Sequence, residues 1–553
     1  MNRQYFFRDA SKLRTTPFGI FTDQAGYPSE SRKTAVMPFS ADEFTVTDRE
    51  GNIKYKGKPN CFGHDENSGD TVSIADFSQL KEHGIYRVCS CGKTSAEFRI
   101  GEGIYDNVLH DTAKAFYFLR CGCGLTEQYA GKYTHAPCHR SPAMLFEDRS
   151  IMLNLSGGWH DAGDYGRYVT AGACAAGHLL YAYRLFPGIF DKLELGIPKK
   201  DMPDILTEVK YELEWLLKMQ RDDGAVYHKV TTMLHAPFVM PEEDKEQLYV
   251  FPVSSMAAAD LTAVTALASS IYRPFDPEFS EKLRTAAEKS AEWLVNDPGF
   301  IGFINPEGCN TGGYYERDDY SNRYWAYSEM YSLTGDDIWL SRMKESMRKD
   351  FSLTEMGYSE IGGLGSLSYL LNSREKQPDL YDRLKKAFSD RAERLKKVSD
   401  SCGYGVALSP DGYHWGSNMS VMKHGMIFAV NDILNGDTVC REYAQKQADY
   451  LLGTNALGIS YITGTGEFRV NEPHLRPAFA DGIDECIPGM VSGGPNSGLN
   501  DPFAEAVIKK GTPPMKCFAD DPASYSMNEI TIYWNSPTVF VLAYLKGVFD
   551  NER

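Results

Sequence analysis

The sequence has 553 residues, of which 42% are hydrophobic and 24% are charged, and this composition is typical of a globular protein. The length exceeds that of one typical domain. The formal net charge is −17 at pH 7, and the pI is near 5.3. Because nucleic acids are bound mainly by Lys and Arg that neutralise phosphates, an acidic chain without a basic cluster argues against a nucleic-acid partner.

The stretch MNRQYFFRDASKLRTTPFG lacks the apolar run of roughly 7–15 residues that marks a secretory signal. No other stretch approaches the ~18 apolar residues of a membrane span. We therefore expect no membrane partner, and either a cytoplasmic protein or a secreted one whose leader has been removed. The twelve cysteines are scattered along the chain rather than packed into a small disulfide framework, so most are expected to be buried free thiols.

Short segments rich in β-branched and aromatic residues lie between residues 18 and about 100. Gly, Asp, Asn and Pro separate them at short intervals, which is the pattern of a β-sandwich. The predicted strand segments are FGIFTDQAGY, KTAVMPF, EFTVTD, TVSIADF, GIYRVCS and AEFRI.

From Tyr105 onward the hydrophobic period changes to that of helices. In LTEVKYELEWLLKMQ, for example, Leu206, Val209 and Leu213 fall on one face. Long segments rich in Gly, Pro and Asn interrupt the helices, notably residues 455–525, and such loops are usually functional. We predict paired helices in a toroid. The other predicted helices lie in VLHDTAKAFYFLRCG, MAAADLTAVTALASSIY, EKLRTAAEKSAEWLV, NRYWAYSEMYSLTG, DIWLSRMKESM, LYDRLKKAFSDRAERLKKV, REYAQKQADYLLGTN and EITIYWNSPTVFVLAYLKGV.

Two acids three residues apart, Asp161 and Asp164, stand in GGWHDAGDYGRYV at residues 157–169. A Gly-rich turn capped by Asp would explain one Asp–Gly pair. It would not explain aromatic residues on both sides, whereas carboxylates near aromatic rings suit a cleft that cleaves sugars. Backbone amides at the neighbouring glycines are expected to keep the two carboxylates ionised.

Five groups of segments, in chain order, carry a family resemblance. They are FTDQAGYPSESRKTAVM; GGWHDAGDYGRY; WGSN with LLGTNALGISYITGTG; PHLR; and YSMNEITIYWNSPTVFVLAYL. Together they resemble glycoside hydrolase family 9, a group of inverting cellulases with an amino-terminal immunoglobulin-like domain. The resemblance implies a mainly α protein with an immunoglobulin-like β-sandwich at residues 1–103 and an (α/α)6-barrel catalytic domain at 104–553. One departure is Leu475, which stands where the family usually has a second His.

The resemblance also implies catalytic roles. Asp164 would be the general base, Asp161 would hold the water, and Glu529 would be the general acid. Inverting hydrolysis needs two carboxyls about 6.5–9.5 Å apart, one protonated and one ionised. A cap at a helix start is the structural alternative for Glu529 taken alone. Its sequence neighbours able to desolvate it are Tyr525, Met527, Ile530 and Trp534.

Four residues are candidates for contacts with the sugar. His474 and Arg476 are suited to donate hydrogen bonds to hydroxyls, and the alternative is a surface loop that these two residues stabilise. Trp415 and Tyr413 are candidates for stacking on a pyranose ring, with core packing as the alternative.

A candidate metal site combines Cys121, Cys138, His139 and His160. Two thiolates and two imidazoles suit tetrahedral zinc, although their spacing is not that of a zinc finger. Some members of the resembled family carry a structural zinc on such residues. A buried thiol pair or a disulfide is the alternative, and Cys123 competes with Cys121 as a ligand.

Calcium is a second candidate metal, since members of the resembled family often bind it ahead of a helical Trp. In this chain the stretch reads RDDYSNRYW at residues 317–325, with Asn322 and Arg323 where an Asp-Glu pair is common. Because an arginine does not ligate a cation, this calcium site is expected to be lost, and calcium elsewhere is left open.

Three functions fit these observations. The first is an endo-acting β-1,4-glucanase on cellulose or a related glucan. The second is an exo-acting β-glucosidase or glucosaminidase that trims short cello- or chito-oligosaccharides inside the cell. The third is a carbohydrate-binding protein without activity, but binding alone does not require Asp161, Asp164 and Glu529 together. The sequence does not decide between the first two, and it does not give the oligomeric state.

Overall fold

The structure is a computed structural model that describes residues 14–296 and 299–550. Most of the amino-terminal stretch considered above for a signal lies outside these residues. The chain divides into two compact units, one formed by residues up to 115 and from 391 onward, the other by residues 116–390. None of the helices described is long and apolar enough to cross a membrane.

The first unit contains the predicted β-sandwich. One sheet has the strand order β1-β9-β7-β3-β4, with β8 paired to β7, and the other has the order β2-β6-β5. Rings of Tyr27, Phe77 and Phe98 meet edge-on or tilted in its core. The strands are β1 (Tyr27–Pro28), β2 (Thr34–Met37), β3 (Phe44–Asp48), β4 (Ile53–Gly57), β5 (Asn60–His64), β6 (Thr71–Asp76), β7 (Gly84–Ser90), β8 (Lys93–Thr94) and β9 (Phe98–Gly101).

Five of the six predicted strand segments form strands of several residues. FGIFTDQAGY does not, because it is mostly irregular and pairs only through a bridge from Phe21 to Val36 and through β1 at its end. The sequence analysis missed β4 and β5, whose mostly exposed residues give no clear alternation. The last strand ends at Gly101 and the first helix begins at Asp106, while the boundary at 103/104 stays a prediction.

Helices dominate the rest of the chain. In the second unit α6 packs against α3, α7 and α8, and in the first unit α12 packs against α13 and α17. The helices are α1 (Asp106–Phe118), α2 (Glu127–Ala130), α3 (Val169–Leu185), α4 (Pro187–Phe190), α5 (Asp204–Lys218), α6 (Ser255–Tyr272), α7 (Pro277–Asn296), α8 (Tyr320–Thr334), α9 (Asp337–Ser346), α10 (Gly362–Leu371), α11 (Pro378–Asp400), α12 (Ser417–Asn435), α13 (Cys440–Leu451), α14 (Arg476–Ala480), α15 (Pro502–Val507), α16 (Tyr525–Asn528) and α17 (Ile532–Phe549).

A small sheet that the sequence analysis did not predict lies in the second unit. Its order is β11-β10-β14-β13-β12, and Tyr168 on β12 pairs with Lys229 on β13. This sheet fixes the end of the GGWHDAGDYGRYV segment, because β12 begins three residues after Asp164. Its strands are β10 (Ala143–Leu145), β11 (Met152–Leu153), β12 (Arg167–Tyr168), β13 (Lys229–Thr231) and β14 (Tyr249–Val250).

A buried ion pair holds the start of the same segment. The Arg120 guanidinium donates to both carboxylate oxygens of Glu208 at 2.9–3.1 Å, and the Trp159 indole N–H donates to Glu208 Oε1 at 2.9 Å. The side chains of Arg120 and Glu208 are 10% and 0% exposed. Such a pair is costly to break, because the remaining partner is left as an uncompensated buried charge.

We expect Glu208→Ala to lower the free energy of unfolding by about 3–5 kcal/mol, since it strands the Arg120 charge and the Trp159 donor. The measurement is the shift in the thermal or denaturant midpoint. Glu194→Ala is the matched control, because Glu194 pairs with Lys199 on the surface. Exposed pairs contribute only about 0–1 kcal/mol. Equal shifts for the two variants would contradict this account of the buried pair.

Candidate active site

The backbone of residues 157–160 runs beside residues 119–121. The Cys121 N–H donates to Gly158 O at 2.7 Å, and the His160 N–H donates to Leu119 O at 2.7 Å. Gly158 has a φ of 76°, and a Cβ there would lie 2.7 Å from the ring of Trp215. This close approach and the positive φ require glycine at position 158, so packing against Trp215 explains this glycine.

Asp161 is buried, with 2% of its surface exposed. Its Oδ2 accepts a short hydrogen bond from the Tyr314 hydroxyl, while its Oδ1 has no hydrogen-bond partner among the described residues. Burial raises the pKa of Asp161 well above its ordinary value, the Tyr314 hydroxyl opposes this, and the charge of Asp164 adds to it. The expectation that neighbouring glycine amides keep Asp161 ionised is wrong: its donor is the Tyr314 hydroxyl, and burial raises its pKa in spite of that contact.

Asp164 has a different set of neighbours from that of Asp161. Its Oδ2 accepts from the Tyr168 hydroxyl at 3.4 Å and from the Gly166 N–H at 3.3 Å. The Nδ1 atom of His235 lies 3.2 Å from the same oxygen. Here a glycine amide does contact the carboxylate, as expected, but the contact comes from Gly166. The two acids therefore face separate groups and are suited to separate tasks.

Tyr314 belongs to a loop that buried polar residues hold in place. Its φ of 46° is unusual for a bulky residue, and such strain persists only where surrounding contacts impose it. Lys229 Nζ donates to Gly312 O at 2.7 Å, and the His228 ring lies 2.9 Å from Gly313 O. Burial lowers the pKa of His228 to about 3, so the ring is neutral near pH 7.

The four predicted metal ligands come together in the second unit. The ligand atoms of Cys121, Cys138, His139 and His160 all lie within 4.8 Å of one another. His160 Nε2 is 3.3 Å from His139 Nδ1 and 4.0 Å from Cys138 Sγ. No disulfide joins the two cysteines, since both are free. The arrangement is that of a buried four-donor metal site.

Further contacts around this cluster fit a metal site. The second ring nitrogen of His139 lies 3.2 Å from Asp244, the partner that commonly orients a ligating histidine. Burial opposes ionisation of Cys121, but contact with Cys138 and the positive charge of Arg167 lower the pKa of Cys121 well below its ordinary value, and the contact with Cys121 raises the pKa of Cys138 in turn. A thiolate is the form that binds metal. Cys123 is not a member of the cluster.

Glu529 lies in the first unit, directly after the short helix α16. It is half-buried, and its backbone pairs with that of His474 in a bridge. Its carbonyl accepts from the Gly493 N–H at 2.8 Å. Met527, Ile530 and Trp534 are all buried beside it in sequence, as expected for surroundings that limit its hydration.

The four candidate sugar contacts, also in the first unit, divide into two kinds. Trp415 is 42% exposed and packs on Tyr525 with ring centroids 5.4 Å apart, so one part of its ring is available for stacking. Tyr413 is 1% exposed, and the alternative of core packing therefore describes it. His474 and Arg476 are 8% and 5% exposed, and His474 Nδ1 lies 2.6 Å from Pro522 O, so the alternative that these residues stabilise a loop stays open.

The stretch considered for calcium is occupied by internal contacts. Arg323 pairs with Asp319 at 2.8 Å, as befits a residue that does not ligate a cation. The Asn322 amide donates to Asp260 Oδ1 at 3.0 Å. Calcium binding stays a prediction without an assigned site.

Three residues that contact the predicted groups were missed in the sequence analysis. Tyr314 contacts Asp161, His235 contacts Asp164, and Asp244 contacts His139. Each is far from its partner in the chain and has no distinctive local pattern, so only the fold identifies it.

Comparison with known proteins agrees with this architecture. Residues 105–542 match the profile of glycosyl hydrolase family 9, and residues 17–95 match that of the cellulase N-terminal ig-like domain. A cellodextrinase of Butyrivibrio fibrisolvens is 43% identical over 95% of this chain and 99% of its own length.

Two solved structures extend the comparison. A single mutant of a thermostable endoglucanase from Alicyclobacillus acidocaldarius aligns with a TM-score of 0.91 at 33% identity, covering 96% of this chain and all of that one. A Zn-binding triple mutant of a family 9 endoglucanase aligns with a TM-score of 0.89 at 33% identity, covering 95% of this chain and 100% of the other. The expected fold class is confirmed, and the chain belongs to glycosyl hydrolase family 9 as a glycoside hydrolase with a helix-rich catalytic domain behind an immunoglobulin-like β-domain.

Proposed function

We propose that this enzyme hydrolyses β-1,4-glucosidic bonds of cellulose or a related β-glucan with inversion at the anomeric carbon. The observation that carries the proposal is the pair Asp161 and Asp164, two carboxylates three residues apart that contact different partners. Family membership and the endoglucanase relatives support the bond type. A structural cluster of acids would not require each carboxylate to have its own separate set of neighbours.

In the proposed reaction Asp164 takes a proton from the attacking water. The Tyr168 hydroxyl and the Gly166 amide donate to Asp164 Oδ2, which fixes the direction of that carboxylate. Asp161 Oδ2 accepts from Tyr314, while Oδ1 has no hydrogen-bond partner among residues 14–296 and 299–550. Oδ1 is therefore suited to accept a hydrogen bond from the same water and to orient it. General-base help of this kind contributes about 10²–10⁴-fold.

Glu529 takes the role of the general acid that protonates the leaving oxygen. Its backbone is fixed on both sides, since His474 pairs with it and Gly493 donates to its carbonyl. An acid in this role must hold its proton until the leaving oxygen takes it. His474, Arg476 and Trp415 are the proposed sugar contacts; His474 pairs with Glu529, and Trp415 packs on Tyr525, four residues before that acid.

The metal cluster is proposed to hold one structural zinc ion. Cys121, Cys138, His139 and His160 form the two-thiolate, two-imidazole set of closed structural zinc sites, in which no position is open for a water. The Zn-binding family 9 neighbour supports the choice of metal. A bound zinc would supply no step of hydrolysis. It would tie residues 121 and 138–139 to His160, the residue directly before Asp161.

A second candidate function is the trimming of short cello-oligosaccharides. The cellodextrinase relative, which aligns over nearly its whole length, favours this candidate over the insoluble polymer. The chemistry at the anomeric carbon is the same for both candidates, so the two differ only in how the chain of glucose units is held.

We expect purified enzyme to release an α-anomer first from cellohexaose, because a water attacking from the face opposite the bond inverts the centre. Proton NMR of the early product checks this, and an initial β-anomer would contradict the base role of Asp164. The product pattern separates the two candidates: random internal cuts indicate an endoglucanase, whereas stepwise release of one short product indicates oligosaccharide trimming.

Glu529→Gln should lower turnover of cellohexaose by about 10²–10⁴-fold, since the amide has no proton to give to the leaving oxygen. An aryl cellobioside with an acidic leaving group should lose much less activity. Glu505→Gln, at an exposed acid of the same unit, serves as the control and should keep full activity. Equal losses on the two substrates would remove Glu529 from the acid role.

Elemental analysis should give about one zinc per chain, and Cys138→Ser should abolish it and lower the melting temperature. Activity should fall as well, because small displacements of catalytic groups cost ~10²-fold. Cys123→Ser is the matched control, a nearby thiol outside the cluster that should keep the metal. A wild-type protein that is stable and active without metal would refute the proposal.

A further inference from the structure

We propose that His235 removes from Asp164 the proton that the base has taken from water and passes it to solvent. The inference rests on the base role proposed for Asp164. His235 Nδ1 lies 3.2 Å from Asp164 Oδ2, and the imidazole is 38% exposed whereas the Asp164 side chain is 7% exposed. One side chain thus contacts both the buried carboxylate and water.

The base of an inverting enzyme ends each turnover protonated and must lose that proton before it can act again. Two other groups at Asp164 Oδ2 are unsuited to accept the proton, since the Gly166 amide and the Tyr168 hydroxyl are donors to that oxygen. The Lys229 ammonium, a charged neighbour of Asp164, is engaged with Asn305, Thr311 and Gly312. The His235 imidazole has a ring nitrogen at 3.2 Å that can accept a proton.

The position of His235 is fixed from its backbone. Its N–H donates to Asn310 Oδ1 at 3.1 Å, and the Asn310 N–H donates back to Met233 O at 3.0 Å. This reciprocal pair ties residues 233–235 to the loop that carries Tyr314. The neighbouring Leu234 is 58% exposed, so the imidazole is held at an open surface rather than in the core.

The proton transfer balances without any other reactant. The Oδ2–H bond of protonated Asp164 breaks as the Nδ1–H bond of His235 forms, which leaves a carboxylate and an imidazolium. The imidazolium then gives a ring proton to water, and exchange with solvent restores the tautomer that accepts at Nδ1. Imidazole is suited to this task, since one ring nitrogen can accept a proton while the other releases one. The charged and titratable groups near the pair are Asp161, Tyr168, Lys229 and Tyr314.

The test compares the first turnover with later ones on an aryl β-cellobioside. In His235→Ala the first turnover should proceed at the wild-type rate, because the base begins ionised, and later turnovers should slow by about 10-fold or more. Product should therefore appear as a burst of about one equivalent per enzyme, with KM unchanged. Added imidazole should restore the later turnovers of His235→Ala, whereas His235→Gln, which fills the space, should respond weakly.

His110→Gln is the matched control. His110 is a comparably exposed imidazole, at 35%, that contacts Asp111 at 2.9 Å rather than a proposed catalytic acid. It should show neither a burst nor a response to imidazole. A His235→Ala protein whose first turnover is slowed as much as the later ones, or one with no change, would overturn the relay. Asp164→Asn separates the two proposals: loss of the first turnover supports its base role, and an unchanged first turnover refutes that role whatever His235 does.

Discussion

The backbone pairing of residues 119–121 with residues 158–160 is the constraint on which the second unit's chemistry depends. It places Cys121 and His160 side by side, and it sets the position of Asp161 one residue later. Two of the candidate metal ligands and Asp161 are therefore positioned by the same pair of backbone hydrogen bonds. A change in this pairing would displace these ligands and Asp161 together.

Burial of charge is the cost that this arrangement has to offset. The segment brings together Asp161, Glu208 and Glu212, all almost fully buried. Arg120 compensates the charge of Glu208 through a bidentate ion pair, and the Trp159 backbone N–H donates to Glu212 at 2.6 Å. Even so, burial raises the pKa of Glu212 to about 8, so part of the cost is met by keeping that carboxyl neutral.

Helices with one apolar and one polar face could be predicted from the sequence, because their hydrophobic residues recur at helical spacing. In α5 the positions of Leu206, Val209 and Leu213 are all fully buried, as their spacing indicates. The sequence analysis missed α3, because residues 169–183 of that helix are buried on every side and no polar face reveals a period. It also missed α10 and α12, because their sequences contain glycines and their residues are mostly buried, so that no helical period is visible.

The site was predictable to a similar extent. The four predicted metal ligands do lie together. They and the pair Asp161 and Asp164 could be named from the sequence because they stand close together or belong to segments of the resembled family, and the roles of the two acids stay predictions. Tyr314 and His235 could not be named in this way, since their roles arise from tertiary contact alone. Tyr413 is the opposite case: it stands just before the WGSN segment in the sequence, but its side chain is buried in the core.

One loop serves both aspartates. Residues 310–314 supply Asn310, which holds the backbone of His235, and Tyr314, which donates to Asp161. Lys229 on β13 fixes this loop at Gly312, and β13 pairs with β12, whose Tyr168 donates to Asp164. The partners of the two carboxylates are thus positioned by one set of hydrogen bonds. The positive φ of Tyr314 is consistent with these two constraints on the loop: the Gly312 carbonyl accepts a hydrogen bond from Lys229, and the Tyr314 hydroxyl donates to Asp161.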